Sequence, residues 1–209
     1  MKRSFRTFGG DRPVFTEQPI MVTGGFSLNA TQAAAFPVGS VIPVGTMSHI
    51  DEVSREITII NSARVVAIDA NDAKIVTLQT YDTSAPVLVV ESVVAKDLGA
   101  TLASSPKITE VKKVDAGLQI TLSKAISGLS VGDALFEVVA DGTNVKLLAT
   151  PNSITIADAE VKEDGDTPID VTRNTCYGEA YARRLPPVPA TLLEGNILKG
   201  TKVAYTNSL

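Results

Sequence analysis

The chain has 209 residues and a net charge of −4, with 44% apolar, 20% charged and only 5% aromatic residues and no Trp. That balance excludes a disordered tail and leaves enough apolar side chains for a core; unbroken apolar runs such as residues 87–90 fall far short of the ~20 residues a membrane-spanning helix needs. A single His (His49) and a single Cys (Cys176) can build neither a His/Cys zinc site nor an internal disulfide, so no metal and no cofactor are expected.

Val, Ile and Thr account for 60 of the 209 residues. Side chains branched at Cβ lose rotamers against a helical turn but pack well on a pleated sheet, so the composition points to an all-β fold.

Residues 1–26 come first and stand apart. Lys2, Arg3, Arg6 and Arg12 outnumber Asp11 and Glu17, so this stretch is basic while the rest of the chain is acidic. Five of the six Phe (Phe5, Phe8, Phe15, Phe26 and Phe36) fall within the first 36 residues. Gly9-Gly10, Pro13, Pro19 and Gly24-Gly25 break any helical or strand period. The charge resembles that of a signal peptide, but no apolar stretch follows, which suggests an unprocessed product of the cytoplasm. A disordered terminus is one reading. The sharper one is an extended arm over 1–26, whose rings drop into pockets on a partner, because rigid aromatics bury much area at little rotamer cost. Phe5, Phe8 and Phe15 are then the anchors, and Arg3, Arg6 and Arg12 pair with partner carboxylates or carbonyls.

After the arm, Asn29 is placed to cap a short helix over Ala30–Ala35. Pro-Val-Gly occurs at residues 37–39 and again at 43–45, each read as a type I turn with Pro second and Gly fourth; Ser130-Val131-Gly132-Asp133 repeats the idea without Pro. Strands are expected at residues 56–60, 63–68, 74–80, 87–94, 108–113, 118–123, 134–139 and 145–149. Leu118-Gln119-Ile120-Thr121-Leu122 alternates apolar and polar, and the turn at residues 114–117 predicts a β-hairpin. Pro189 is placed to open a turn or two over residues 190–194, ended by Gly195-Asn196. Short strands with frequent turn signals indicate a barrel or sandwich. Diluted patterning at residues 98–106 divides the body into a first β module at 27–98, a β insertion or second module at 99–150, and a return with the C-terminal tail at 151–209.

Candidate chemistry is sparse. Glu163-Asp164-Gly165-Asp166, with Asp170 beyond it, lacks the ligand series of an EF-hand and reads as an acidic turn. Ser48, His49 and Asp51 supply the letters of a catalytic triad, but neighbours along one strand do not face one another. Cys176 has only His49 as a base and is expected to be a small packing residue. No catalytic residues are expected, and the chain is read as a non-enzyme. Arg183-Arg184, near Tyr177 and Tyr181, form a basic, aromatic-flanked patch. An isoelectric point near 5.1 argues against nucleic acid, and an oligomer contact through Tyr177, Tyr181, Arg183 and Arg184 is expected instead.

The order of several short motifs resembles a known family. These are residues 24–28 (Gly-Gly-Phe-Ser-Leu), 41–46 (Val-Ile-Pro-Val-Gly-Thr), 63–66 (Ala-Arg-Val-Val) and 128–136 (Gly-Leu-Ser-Val-Gly-Asp-Ala-Leu-Phe). The acidic loop at 161–166 and residues 177–190, with Arg184-Leu185-Pro186-Pro187-Val188-Pro189, complete the series. Together they are similar to the head-fibre and auxiliary capsid (decoration) proteins of tailed bacteriophages, gut Bacteroidales (crAss-like) phages in particular. The resemblance spans most of residues 24–198. It implies a non-enzymatic, largely β, homo-oligomeric virion protein made in the host cytoplasm and bound outside the shell. Its partners would be the major capsid protein, further copies of itself (a trimer or dimer) and other head-fibre proteins, with no nucleic acid and no membrane. The alternative is an adhesion module that binds glycans on host or mucus surfaces.

Overall fold

The structure is a computed structural model that describes residues 13–17, 19–22, 25–81, 84–163, 167–172 and 178–207. In chain order the elements are β1 (Ser27–Leu28), α1 (Ala30–Ala35), β2 (Val41–Ile42), β3 (Met47–Asp51), β4 (Glu56–Ile60), β5 (Ser62–Ile68), β6 (Ile75–Leu78) and β7 (Val93–Ala95). They continue with β8 (Ile108–Val114), β9 (Gly117–Leu122), β10 (Ala134–Asp141), β11 (Asn144–Leu147), β12 (Ser153–Ile154) and β13 (Ala159–Glu160). The last are β14 (Gly178–Tyr181), β15 (Leu193–Glu194), β16 (Ile197–Leu198) and β17 (Val203–Thr206). The fold is all-β, as the composition requires. α1 is the one α-helix among the described residues, capped by the Asn29 side chain accepting from the Gln32 N–H.

Three larger sheets carry the body. One has the order β1-β4-β3-β12, a central seven-stranded sheet runs β11-β10-β5-β6-β9-β8 with β7 also on β10, and a C-terminal sheet runs β14-β17-β16-β15. β2 and β13 form a separate pair. No sheet closes into a barrel among the described residues. The central sheet takes β5, β6 and β7 from before residue 98 and β8 to β11 from after it. Its core likewise mixes Val65, Val76 and Leu78 with Ile108, Ile120 and Leu135. The expected module boundary at 98/99 is therefore not a boundary. Leu98, Ala100 and Leu102 pack onto the core formed by Met47, Ile60 and Phe136, so the diluted stretch is packed loop rather than linker.

β4 shows how the cores connect. Side chains alternate across a strand, so Ile57 and Ile59 enter the core around Phe26, Leu28 and Ile169, while Ile60 enters the one around Met47 and Phe136. β4 leads directly into β5 through Asn61, which is fully buried at the corner. The Asn61 side chain accepts from the Val87 N–H (3.2 Å) and donates to the Val87 carbonyl (2.9 Å) and to Glu137 Oε2 (2.8 Å). This corrects the strand expected at 87–94. Val87 and Leu88 are buried as their apolarity demands, but an amide side chain rather than a neighbouring strand satisfies the Val87 backbone, and only Val93–Ala95 pairs.

The turns differ from expectation in one respect. The Ser40 N–H donates to the Pro37 carbonyl and the Thr46 N–H to the Pro43 carbonyl, so each Pro is the first turn residue and each Gly the third. Gly39 and Gly45 have φ of 79° and 77°, which makes these type II turns, whose third position demands the left-handed region. At Ser130–Asp133 the same bond recurs, with Gly132 at φ 94°. Gly45 has a second constraint: a Cβ there would sit 1.9 Å from Leu185 Cδ2. The hairpin forms as expected, with Val114 opposite Gly117 across a two-residue loop. Pro189 caps only a single 3₁₀ turn, Ala190–Leu192, and Gly195-Asn196 instead joins β15 to β16.

Candidate functional site

The first question concerns the N-terminal arm. Arg3, Phe5, Arg6, Phe8 and Arg12 lie outside the described residues, as do Tyr177, Cys176 and Asp164-Gly165-Asp166. From Pro13 onward, described residues of this stretch are bound to the chain's own body. The Tyr181 N–H donates to the Val14 carbonyl (2.9 Å), and the Thr16 N–H to the Glu179 carbonyl (3.0 Å). Phe15 bridges to Ala180 and packs, half-buried, on the core of Ile154, Leu185 and Tyr205. Further along, Val22 donates to the Val171 carbonyl, and Phe26 and Ile169 exchange both backbone bonds at 2.9 Å. Phe26 is buried under the Arg55 guanidinium, 4.2 Å from its ring centroid. Phe15 is thus corrected from a partner anchor to a ring held by its own subunit, and the arm cannot extend to residue 26. Its tether half is a strap on the body, and any partner-binding portion has to be drawn from residues before Pro13.

The strap ends where the expected oligomer patch lies. Arg184 stacks on the Tyr181 ring at 4.4 Å and donates from Nη1 to the Pro13 carbonyl at 2.7 Å. Tyr181 and Arg184 therefore hold the strap within one subunit. Arg183 is exposed.

The triad letters do not converge. Ser48 is buried with its hydroxyl 2.8 Å from that of Ser153, His49 Nδ1 lies 2.8 Å from the Thr150 carbonyl, and Asp51 accepts from the Val53 and Ser54 N–H groups. Those two backbone donors hold the Asp51 carboxyl below the usual range. Alternation puts Ser48 and His49 on opposite faces of β3, so no proton relay connects them. Among the described residues no group of three His, Cys, Asp or Glu side chains could hold a metal ion.

The described residues also form concave features. A groove of about 920 Å³ runs between the turn at Pro37–Val41, the segment Ser84–Val90 and the tip of the β8–β9 hairpin. Its walls are mostly aliphatic, and Val38 and Val90 are more than half or half exposed at its rim (63% and 50%). The second feature is a polar cleft of about 470 Å³ lined by Arg64, Gln79, Ala182, Arg183 and Asn207. Arg64 stands opposite Ala134 in the β5–β10 register, and the Gln79 N–H donates to its carbonyl at 2.8 Å. Arg183 and Asn207 follow the parallel strands β14 and β17, which end together at Tyr181 and Thr206. Sequence reading picked Arg183 but gave Arg64 no role. Its partner in the cleft is more than 100 residues away, and nothing in a local pattern reports such a meeting.

A third cluster is structural. Glu137 is buried, accepting from Ser92 Oγ at 2.6 Å and from Asn61 Nδ2 at 2.8 Å. Burial raises its pKa against the pull of those two donors. Comparison of the chain with known protein families, with curated proteins and with solved structures finds no match.

Proposed function

We propose that the chain is a non-enzymatic structural protein of a tailed-phage virion. In this reading it attaches to the outside of the major capsid shell as a head-fibre or decoration protein, and it stabilises the head or anchors surface fibres. The observation that carries the reading is the clamp at Pro13. Arg184, Val14 and Thr16 tie the strap to β14, so the basic segment with Phe5 and Phe8 starts from a fixed point on a folded body. Ordering an arm costs about 1–2 kcal/mol per residue. Fixing its root shortens the length to be ordered, and repetition over many identical capsid sites adds avidity. The separation of Ser48, His49 and Asp51 supports a structural rather than a hydrolytic role.

The test is deletion of residues 1–12, which leaves the strap intact. The truncated protein is expected to fold with unchanged thermal stability and to lose co-sedimentation with capsids. Retained co-sedimentation overturns the arm as the attachment device. Charge steering by Lys2, Arg3, Arg6 and Arg12 should slow attachment as salt rises, because exposed charges are screened beyond ~8 Å at physiological ionic strength.

A further inference from the structure

The polar cleft has a composition that the rest of the body does not prepare for. In a chain of net charge −4, it gathers two guanidinium groups and two primary amides, and among the described residues no carboxylate lines it. Arg64 gives one N–H to the Gly132 carbonyl at 3.3 Å. Among the described residues, the side chains of Gln79, Arg183 and Asn207 have no hydrogen-bond or ion-pair partner. An adjoining cleft of about 330 Å³ shares Arg64 and Ala182 and continues over Pro186, Pro187, Val188 and Tyr205. Asp133, the one carboxylate residue lining it among the described residues, is already neutralised, with Lys96 Nζ at 2.7 Å and the Ser130 N–H at 2.8 Å. The hydroxyl of Tyr205 is buried nearby with no hydrogen-bond partner among the described residues.

Two like charges sharing one cleft repel each other, and a planar guanidinium presents paired donors that match the two oxygens of a carboxylate, sulfate or phosphate. Amide NH₂ groups add donors without adding charge. We propose that this cleft binds one oxyanion group of a small organic ligand. Arg64 and Arg183 are the charge partners, Gln79 and Asn207 are the flanking donors, and the proline-lined cleft takes the apolar remainder of the ligand. An acidic saccharide residue and a phosphorylated or sulfated solute share this chemistry. The site is independent of the capsid reading, since none of its residues belongs to the strap.

The test is a titration of the ¹⁵N-labelled full chain with sodium glucuronate, sodium sulfate and inorganic phosphate, with glucose as the neutral control, all at low and equal ionic strength. Saturable shifts are expected at Gln79, Ala182, Arg183 and Asn207 for at least one anion and none for glucose. Arg183→Gln, at an exposed position, should weaken binding at least about tenfold, the loss of one charge-assisted hydrogen bond. Arg64→Gln should act in the same direction, and Lys112→Gln, outside the cleft, should change nothing. Equal binding of all three anions identifies charge alone as the ligand feature, whereas tighter binding of glucuronate identifies the organic body as read by the inner cleft. Shifts that do not saturate, or binding by Arg183→Gln equal to that of the parent, mean solvated arginines only and overturn the proposal.

Discussion

The β8–β9 hairpin closes across two residues, Asp115 and Ala116, whereas the sheet around β14 is completed by strap residues about 163 positions earlier, as in the Thr16–Glu179 pair. Both regions end in backbone ladders and buried aliphatic side chains, yet they depend on different information. The hairpin rests on period-two alternation and a tight turn, both written in adjacent residues. The strap rests on a surface that exists only after the body has folded, because Phe15 needs Ile154, Leu185 and Tyr205 already in place. Closing such a long loop costs entropy before any contact returns it, so the strap should be the later and more labile of the two.

The largest effect is expected where the strap enters the core of the body. Phe26→Ala removes a ring buried against Leu28, Ile57 and Ile169 and vacates the space under Arg55. A loss of about 3–5 kcal/mol is expected in chemical denaturation. A loss under 1 kcal/mol would show that the end of the strap is dispensable to the fold.

Next comes a substitution that attacks the hairpin from outside its own sequence. Gly117 has φ 142°, and a Cβ there would lie 2.3 Å from the Leu78 carbonyl oxygen on β6. The obstacle is backbone and cannot rotate away, so Gly117→Ala should cost about 3 kcal/mol. Gly142, in the β10–β11 turn at φ 63°, has nothing within 4 Å of the same position. Gly142→Ala should therefore cost only the conformational term, about 1 kcal/mol. Equal losses at the two sites would refute the steric account.

A third measurement uses pH. Burial raises the folded-state pKa of Glu137 above its value in the unfolded chain. Its stabilising contribution is therefore complete below the unfolded value of about 4.5 and is lost as pH rises through the folded value. Glu137→Gln keeps an amide oxygen for Asn61 and an NH₂ for Ser92 Oγ while removing the titration. Its stability relative to the parent should rise across that window and then level off; parallel pH profiles of the two proteins would rule the idea out.

The smallest effect belongs to the clamp. Arg184→Ala removes one hydrogen bond to the Pro13 carbonyl and the stack on Tyr181, and about 1 kcal/mol is expected. Global unfolding is the wrong readout, because strap opening is local. Faster amide exchange at Thr16 and Tyr181, with unchanged exchange at Ile120 in β9, is the signature to look for. Uniform acceleration would mean that strap and body open together.

Much of the secondary structure follows from the sequence for local reasons. β4 matches the pattern of residues 56–60, α1 starts at the cap Asn29 supplies, and the hairpin turn falls where its signals place it. The apolar run that opens the expected strand at 87–94 was legible, but that Val87 and Leu88 are buried without strand pairing was not, because the Asn61 amide that satisfies Val87 comes from another segment. The basic, Phe-rich character of the first 26 residues was equally plain. Which rings turn inward was not, since a Phe that packs on its own subunit and one that packs on a partner look alike in composition.

What the residues by themselves determined is the class of fold, the positions of most strands and the turns that bend them, because those depend on Cβ branching, two-residue periodicity and the backbone freedom of glycine. Tertiary structure alone decided that one sheet spans residue 98, that Phe15 and Phe26 fold back on the body, and that Arg64 and Arg183 share a cleft. Those outcomes rest on contacts between segments far apart in the chain, and such contacts are selected by the packing of whole surfaces rather than by the preference of any one residue.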